Sequence, residues 1–345
     1  MPRRPSFGVI LPTYRSERYV GNTLASIFNQ TLLPCEILIS DDGSHDKTAD
    51  IVRAAAANAP VPVRFVVNHD PAGITENYLN ALRYVSPCDY VAVADHDDVW
   101  VPRRLECLLD AFLQNQSATL VCCDSLLADA QVNPTGGTLR GGFASSIRIC
   151  KQHRRMGSFS SYLKGGLPCL AHTLAFPFSL RDAIVAKPAS IPQWFFEEWL
   201  TRVAACYGDL VLIPEALTLY RCHPLQASHT SRQAAKSEPS FANLLSPPAN
   251  TESRLQKLHY CRSMLKARCS ATGALTDVSV KLDQLDDACC FLSTRLRVRD
   301  SSTRLSVRLR EFISLLLSGG YRRYASGLWS VCKDLVAILR SLCFG

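Results

Sequence analysis

Short apolar runs alternate with helical patterns along the first 125 residues of the chain. The runs FGVILP, CEILIS, VRFVV, YVAVA and ATLVCCD are continuously apolar, as is typical of strands buried on both faces. The segments between them, such as YVGNTLASIFNQ and TENYLNALRYV, carry apolar residues at helical spacing. This alternation predicts an α/β fold in which helices cover both faces of a mostly parallel sheet.

The pattern changes beyond residue 125. Residues 130–170 are rich in Gly and polar residues and indicate excursions from the sheet. WFFEEWLTRVAACYG predicts an amphipathic helix, and DLVLIPEALTLYRCH predicts two short strands after it. We expect one domain over residues 1–228, a linker over 229–252, and a basic helical region over 253–345.

Charge is unevenly distributed along the chain. The composition, with 47% apolar and 20% charged residues among 345, is that of a soluble globular protein. Residues 250–345 contain 16 Lys or Arg and 8 Asp or Glu, which accounts for the whole net charge of +8. This region is expected either to meet a membrane surface or to be a solvated basic surface, and nucleic acid is disfavoured.

Cysteine usage and hydropathy indicate the cellular compartment in which the protein is expected. The 15 cysteines are scattered, odd in number and without a Cys-x-x-Cys pair, which favours reduced thiols over a disulfide framework. No stretch approaches the roughly 20 apolar residues of a membrane span, and the N-terminal apolar run is too short for a signal peptide. We expect a cytoplasmic protein that can lie peripherally on the inner face of the cell membrane.

Two acidic clusters follow predicted strands. DDGS (Asp41–Ser44) leaves one strand, and DHDD (Asp95–Asp98) leaves another. Ligands of parallel sheets bind beyond the carboxyl ends of the strands, so both clusters are expected at one ligand crevice. Carboxylates this close repel each other unless a positive group offsets them. Two carboxylates one residue apart suit Mg²⁺ or Mn²⁺, which often also bind diphosphate oxygens of a substrate.

Five motifs, in order, resemble those of the family-two, A-type glycosyltransferases, in particular bacterial rhamnosyltransferase-like members. They are VILPTYRSERYVGNTLASIFNQT, ILISDDGSHDKTADIV, NHDPAGITENYLNAL, VADHDDVWVPRRL and LTLYRCH. Together they extend over about residues 7–225. The resemblance implies an A-type glycosyltransferase fold, Rossmann-like with a mostly parallel sheet, followed by a C-terminal helical extension.

The resemblance also implies a set of binding residues. Those expected to bind the nucleotide-sugar are Pro12, Thr13, Tyr14, Glu17, Asp41, Asp42, Asn77, Asp95 and Arg221. Either Asp41 or Asp42 would accept a hydrogen bond from the base. The residues expected to bind the metal, Mn²⁺ or Mg²⁺, are Asp97, Asp95 and His223. A guanidinium suits phosphate oxygens, and a neutral imidazole can bind a metal.

The catalytic base is expected at the start of the WFFEEWL helix. Similar proteins carry an Asp there, eleven residues before a Gly, and counting back from Gly208 reaches Glu197. Glu therefore replaces the usual Asp, and Glu198 is a one-residue alternative. The large apolar neighbours of Glu197 would raise its pKa, which would help it act as a base.

Other polar and aromatic residues are interpreted without a role in the site. Asp98 is interpreted as an acid near the N-terminus of the next helix, and Trp100 as a packing residue. His172 and His229 are interpreted as ordinary surface histidines.

The sequence therefore predicts a metal-dependent inverting glycosyltransferase that builds surface polysaccharide. The donor would be a dTDP or UDP sugar, with rhamnose from dTDP as the first candidate, and the acceptor a saccharide or lipid-linked saccharide. One alternative is a sugar nucleotidyltransferase, which would require a Gly-rich phosphate loop that LPTYRSERYV lacks. Another is a catalytically inactive nucleotide-sugar-binding partner subunit, which the Glu at position 197 keeps open.

Overall fold

The chain divides into two compact units. A computed structural model describes residues 3–68, 73–139, 169–187, 195–224, 249–272 and 276–343, with the single positions 159, 163 and 226. One unit comprises residues 1–156 and 167–229, and the other comprises 157–166 and 230–345. Among the described residues, no helix is both long and apolar enough to span a bilayer.

The first half of unit one is a parallel α/β arrangement, as the apolar runs predicted. Its strands are β1 (Phe7–Thr13), β2 (Glu36–Asp41), β3 (Val63–Val67) and β4 (Tyr90–Val93). They pair in parallel in the order β3-β2-β1-β4. The helices between them are α1 (Val20–Phe28), α2 (Thr48–Ala56) and α3 (Ile74–Tyr84). β1 and β2 are buried along their whole length, which explains their continuous apolar runs.

The second half of the sheet is mixed. It contains β5 (Val99–Trp100), β6 (Ala118–Ala128), β7 (Pro134–Thr138), β8 (Leu174–Pro177) and β9 (Asp209–Arg221), with α4 (Arg104–Gln114), α5 (Arg181–Val185) and α6 (Phe196–Tyr207). The order is β3-β2-β1-β4-β8-β6-β9-β5, and β7 pairs with β6. β6 and β9 are parallel, while β5, β7 and β8 run antiparallel to their neighbours.

The expected pair of short strands after α6 is one strand, β9. Its pairing with β6 shifts register between Leu212 opposite Cys122 and Ala216 opposite Asp124. Residues 213–215, which include Pro214, therefore bulge from the ladder. A bulge accommodates Pro without ending the strand, so the prediction of two strands was wrong.

The core explains two local features of unit one. Trp100 is 2% exposed within the apolar core, which confirms it as a packing residue. Gly208 joins α6 to β9, and a Cβ there would collide with the Ser117 carbonyl oxygen and the Thr119 side chain. Glycine is thus required by close approach of the backbone.

Unit two is helical over its described residues. Its helices are α7 (Ala249–Thr272), α8 (Thr276–Arg299), α9 (Leu305–Leu317), α10 (Gly320–Tyr324) and α11 (Leu328–Cys343). The buried Asp334 on α11 connects three of them, because it accepts hydrogen bonds from Arg295 Nε on α8 at 2.6 Å and from the Tyr321 hydroxyl on α10 at 2.8 Å. Residues 229–248 of the expected linker lie outside the described residues, and the expected domain limits stay a prediction.

Candidate active site

Both acidic clusters lie at the same edge of the sheet. β1 pairs in parallel with β2 and with β4, so these strands end on one side. Asp41 is the last residue of β2, and the turn Asp95–Asp98 follows β4 directly. The expected crevice is therefore formed where parallel strands end.

Asp41 and Asp42 hold different parts of this crevice. Asp41 Oδ1 accepts hydrogen bonds from the Thr13 and Ser44 hydroxyls, each at 2.7 Å, so it ties β1 to the turn after β2. Asp42 accepts a hydrogen bond from the Gly73 backbone N–H at 3.0 Å, directly before α3. Both carboxylates are buried, and their hydrogen bonds fix the turn after β2 and the start of α3.

The remaining predicted pocket residues surround β1. Pro12 and Thr13 are buried at its end, and the Asn77 amide on α3 donates to the Thr13 carbonyl at 3.0 Å. Tyr14 is 46% exposed. Glu17 is exposed and accepts a hydrogen bond from the backbone N–H of Lys47 at 3.0 Å. The buried end of β1 is thus followed by two exposed side chains, Tyr14 and Glu17.

Asp97 and His223 are in direct contact. His223 Nε2 lies 3.0 Å from Asp97 Oδ2, and both side chains are buried. Burial works to raise the pKa of Asp97, but the hydrogen bond from His223 and the nearby imidazoles of His96 and His223 hold it below its usual value. An ionised carboxylate next to an imidazole is a donor pair suited to a divalent cation.

Arg221 lies beneath the acidic turn. Its Nε donates to the Asp97 carbonyl at 2.7 Å, and its backbone N–H donates to Asp98 Oδ1 at 3.0 Å. The guanidinium also stacks over the Tyr19 ring, 4.5 Å from its centroid. Burial lowers the pKa of Arg221. In this position Arg221 fixes the shape of the turn, a role that the motif alone did not indicate.

Asp95 contacts side chains other than Asp97 and His223. Its Oδ1 accepts a hydrogen bond from the Tyr78 hydroxyl, and its Oδ2 lies 3.5 Å from His172 Nδ1. The predicted metal-binding set is thus divided, with Asp97 and His223 together and Asp95 beside other partners.

Asp98 is not an acid at a helix N-terminus. It precedes β5, its side chain is fully buried, and its Oδ2 lies 3.3 Å from His172 Nδ1. Burial, followed by the charges of Asp97 and Asp95, raises the pKa of Asp98 well above its usual value. The donor atoms of Asp95, Asp98 and His172 lie within 4.8 Å of one another, a spacing that could also hold a cation.

The interpretation of His172 as a surface histidine was also wrong. Its side chain is fully buried, directly before β8, and its ring stacks on Tyr220. The sequence gives one weak signal, a lone polar ring in the apolar run CLAHTLAF. His229 lies outside the described residues.

The two candidate bases, Glu197 and Glu198, have different surroundings in the structure. Glu198 forms an ion pair with Arg202 at 2.7 Å, one turn along α6. No Lys, Arg or His of the described residues pairs in this way with the carboxylate of Glu197. Burial, with smaller contributions from the charges of Asp95 and Glu198, raises the pKa of Glu197 to about 7. A carboxylate with this pKa is suited to accepting a proton near neutral pH.

The helix that carries Glu197 is anchored on both sides of it. Phe196 is buried and stacks on Tyr78, with ring centroids 4.5 Å apart and planes 10° apart. Trp199 is buried and donates from Nε1 to the Ile184 carbonyl at 2.6 Å. The Tyr78 ring therefore contacts the Glu197 helix, while its hydroxyl contacts Asp95.

Comparisons with known proteins identify the family. The family model described as glycosyl transferase family 2 matches residues 8–159. An uncharacterised glycosyltransferase of Nostoc sp. is 32% identical over 247 residues, which cover 67% of this chain and 70% of that protein. The chain belongs to glycosyltransferase family 2. This membership confirms the predicted family and argues against a sugar nucleotidyltransferase.

A further sequence relative and a solved structure differ in how much of each chain the similarity to this family 2 member covers. The chondroitin synthase of Pasteurella multocida is 28% identical over 141 residues, 41% of this chain but 14% of that protein. The crystal structure of S. aureus TarS 1-349 in complex with UDP-GlcNAc superposes with a TM-score of 0.56 at 14% identity, covering 98% of this chain and 91% of that one. At this identity the likeness shows the fold alone, and it confirms the predicted A-type fold.

Proposed function

We propose that the chain is a metal-dependent inverting glycosyltransferase that uses a nucleoside-diphosphate sugar. The proposal rests on one observation, that the candidate active site contains both a donor pair for a cation and a carboxylate suited to act as a base. Asp97 and His223 form a donor pair for a cation, and Glu197 is a carboxylate with a pKa of about 7. The two groups match the two demands of sugar transfer, because a proton leaves the acceptor and negative charge develops on the leaving diphosphate.

In this proposal Glu197 is the base. Its carboxylate accepts the proton of an acceptor hydroxyl while the hydroxyl oxygen bonds to the anomeric carbon of the sugar. The bond from that carbon to the diphosphate breaks, and its electron pair leaves with the diphosphate oxygen. Attack from the face opposite the leaving group inverts the configuration, as in inverting glycoside cleavage. Glu198 is the weaker candidate because Arg202 holds its carboxylate.

The cation is proposed to be Mn²⁺ or Mg²⁺. Oxygen ligands with an imidazole suit either ion, and Asp97 with His223 would hold it. When bound, the cation would offset the charge of the leaving diphosphate. Asp95, which is partly exposed, would face the ribose or a water of the cation.

The donor is proposed to be a UDP or dTDP sugar, with rhamnose as the first sugar to test. The pocket between β1, β2 and α3 would hold the nucleotide, with the base near Asp41 or Asp42. Support comes from the fold shared with TarS, whose crystal structure contains UDP-GlcNAc. A saccharide acceptor is supported by the relationship to a chondroitin synthase.

Thermal stabilisation tests the donor site. We expect one nucleotide among UDP, dTDP and GDP to raise the melting temperature when Mn²⁺ is present. At a hundredfold excess over Kd, the free energy of unfolding should increase by about 2.7 kcal/mol. Asp97→Asn should abolish the Mn²⁺-dependent part. Asp50→Asn is the matched control, because that carboxylate is exposed on α2 and pairs with Arg53. No stabilisation by any nucleotide at millimolar concentration would contradict the proposal.

A transfer assay then tests the base. Glu197→Gln should keep nucleotide binding and lose sugar transfer, whereas Glu198→Gln should keep both. If the wild type binds nucleotide and transfers no sugar from any donor tested, an inactive partner subunit is the better description.

The second unit is proposed to contact an anionic membrane surface, which would bring the enzyme to a lipid-linked acceptor. Large apolar side chains are exposed on α9 and α11, namely Leu309, Ile313, Leu316, Leu317, Leu328, Trp329, Leu335 and Leu339. Exposed arginines accompany them at 310, 322, 323 and 340. The two acidic residues of 301–345 are neutralised, since Glu311 pairs with Arg297 at 3.0 Å and Asp334 with Arg295 at 2.6 Å. Apolar side chains among uncompensated arginines fit anionic lipid.

Vesicle flotation of the full chain tests this contact. Binding is expected with anionic vesicles and not with phosphatidylcholine alone. Replacing Arg322 and Arg323 together by Glu should weaken binding about tenfold or more, since each basic residue contributes about 1 kcal/mol near such a surface. The same change at the exposed Arg53 and Arg103 is the control. Equal binding by both double variants, or self-association without lipid binding, would contradict the membrane contact.

A further inference from the structure

Tyr19 is an aromatic residue at the candidate site that the proposed reaction does not use. Its ring contacts the His223 imidazole, with ring centroids 4.7 Å apart and planes tilted by 44°. The guanidinium carbon of Arg221 lies 4.5 Å from the centroid of the same ring. Tyr19 directly precedes α1, whereas Arg221 ends β9 and His223 follows that strand. The ring therefore joins two segments that are distant in the chain.

The orientation of His223 depends on contacts of its side chain. The backbone N–H of Cys222 donates to the Ala128 carbonyl at 2.8 Å, and His223 follows this contact with β6. Its Nε2 lies 3.0 Å from Asp97 Oδ2, whereas its Nδ1 is buried and has no hydrogen-bond partner within the described part of the chain. An imidazole with one polar contact can tilt and turn about it, so packing against the ring has to fix its orientation.

The start of α1 gives Tyr19 a fixed position for this packing. Its carbonyl accepts the backbone N–H of Thr23 at 3.2 Å. The fully buried Thr23 hydroxyl donates toward the carbonyls of His96 and Asp98, at 2.9 and 2.7 Å. The first turn of α1 therefore contacts both sides of the donor pair, the acidic turn through Thr23 and His223 through Tyr19.

Arg221 in turn holds the Tyr19 ring. A guanidinium over an aromatic ring is attracted to the negative face of the ring, and more strongly where water is excluded. The Nε of Arg221 donates to the Asp97 carbonyl at 2.7 Å, and its Nη1 donates to the Ala130 carbonyl at 2.5 Å. The guanidinium cannot leave the ring without losing these bonds. Tyr19 is thus held by a group that is itself tied to the acidic turn.

We propose that Tyr19 is a positioning residue whose ring holds the His223 imidazole in the orientation that faces Asp97, and so prepares this pair to bind a divalent cation. The inference rests on the proposed function in one respect, the assignment of Asp97 and His223 to the cation. Tyr19 contributes no ligand atom in this role and acts through His223. Loss of a group that orients a metal ligand typically weakens metal affinity by about tenfold to a hundredfold.

Three variants separate the ring from the rest of the side chain. Tyr19→Phe keeps the ring, Tyr19→Leu removes it, and Tyr84→Leu is the matched control at a tyrosine that is 50% exposed at the end of α3. Mn²⁺ affinity is measured by paramagnetic resonance in the presence of the nucleotide that stabilises the wild type. We expect Tyr19→Leu to raise the Mn²⁺ Kd by about tenfold or more, and the other two variants to stay within about twofold of wild type.

The spin echo of bound Mn²⁺ gives a second readout, because a nitrogen ligand modulates it. The wild type and Tyr19→Phe should show the modulation of an imidazole nitrogen, His223→Ala should lose it, and Tyr19→Leu should show it weakened. A general loss of stability would not produce this pattern, since it lowers the melting temperature without changing which atoms bind the cation. Tyr19→Met, which also lacks a ring, replaces Tyr19→Leu if that variant does not fold.

The outcomes distinguish this inference from the proposed function. An unchanged Mn²⁺ Kd and nitrogen modulation in Tyr19→Leu would overturn the positioning role and leave the proposed function standing. Equal losses in Tyr19→Phe and Tyr19→Leu would also overturn it, because the hydroxyl and not the ring would then be responsible. A wild type that binds no Mn²⁺ with any nucleotide, or binds it without nitrogen modulation, would overturn both the inference and the assignment of His223 to the cation.

Discussion

At the scale of single residues, the protonation of Glu197, the proposed base, should determine the pH dependence of sugar transfer. With a pKa of about 7, Glu197 is largely protonated at pH 6 and ionised at pH 8. We expect kcat/KM to rise about tenfold per pH unit below pH 7 and to level off above it, because only the ionised form is a base. The pH profile of kcat/KM measures this directly. A flat profile between pH 5.5 and 8 would contradict the assignment.

The raised pKa of Glu197 also predicts that stability falls as pH rises, whereas kcat/KM rises. The folded protein holds the Glu197 proton more tightly than the unfolded chain, because the pKa is raised from 4.5 to about 7. The free energy of unfolding should therefore lose a contribution as pH rises through this window. Glu197→Gln should remove that part of the pH dependence, and Glu198→Gln should keep it.

Whether a site residue could be predicted from the sequence depended on how far along the chain its partners lie. Asp97 and His223 were singled out because each lies in a short motif with fixed residue types at fixed spacing, and the fold brings the two together. His172 was missed because its partners, Asp98 and Ser125, are 74 and 47 positions away in the chain. The apolar run around His172 indicates burial, but it does not indicate the partners, which depend on where an antiparallel strand enters the sheet.

At the scale of elements, Gly208 limits how α6 can join β9. Gly208→Ala places a methyl group against the Ser117 carbonyl and the Thr119 side chain, so backbone must move. We expect a loss of about 1–3 kcal/mol in the free energy of unfolding, typical of overpacking. Chemical denaturation measures it.

A second glycine provides the control for this substitution. At Gly21 in α1, a Cβ would meet the Ile51 side chain at 3.5 Å, which is ordinary contact. Gly21→Ala should leave stability unchanged or raise it by up to about 1 kcal/mol, since alanine favours a helix. Equal losses at both positions would contradict the close-approach explanation for Gly208.

The elements that the sequence predicted are those whose signal is local. β1 to β4 are recognisable because each is a buried apolar run between two helical patterns. β8 has four residues and lies antiparallel between β4 and β6, so its place depends on long-range pairing. β9 appeared as two strands because Pro214 normally ends a ladder, and only the pairing partner reveals the bulge.

At the scale of the whole molecule, the candidate site residues all belong to unit one. Binding of nucleotide with Mn²⁺ should therefore slow hydrogen exchange in the segments that form the site, around residues 12–17, 41–44, 95–98 and 195–202. Exchange in α9 and α11 should stay unchanged, because ligand binding stabilises the part it contacts. Mass spectrometry of the exchanged peptides checks this, and protection spread evenly over both units would contradict it.

The position of Tyr78 has a consequence for engineering the enzyme. One phenol ring contacts Asp95 through its hydroxyl and the Phe196 ring through its face, directly beside Glu197. A substitution that moves this ring is expected to disturb Asp95, assigned to the donor, and Glu197, the proposed base, together. If both proposed roles hold, donor preference and catalytic rate are linked traits at this position, and libraries that seek a new donor sugar should vary Tyr78 and Phe196 as a pair.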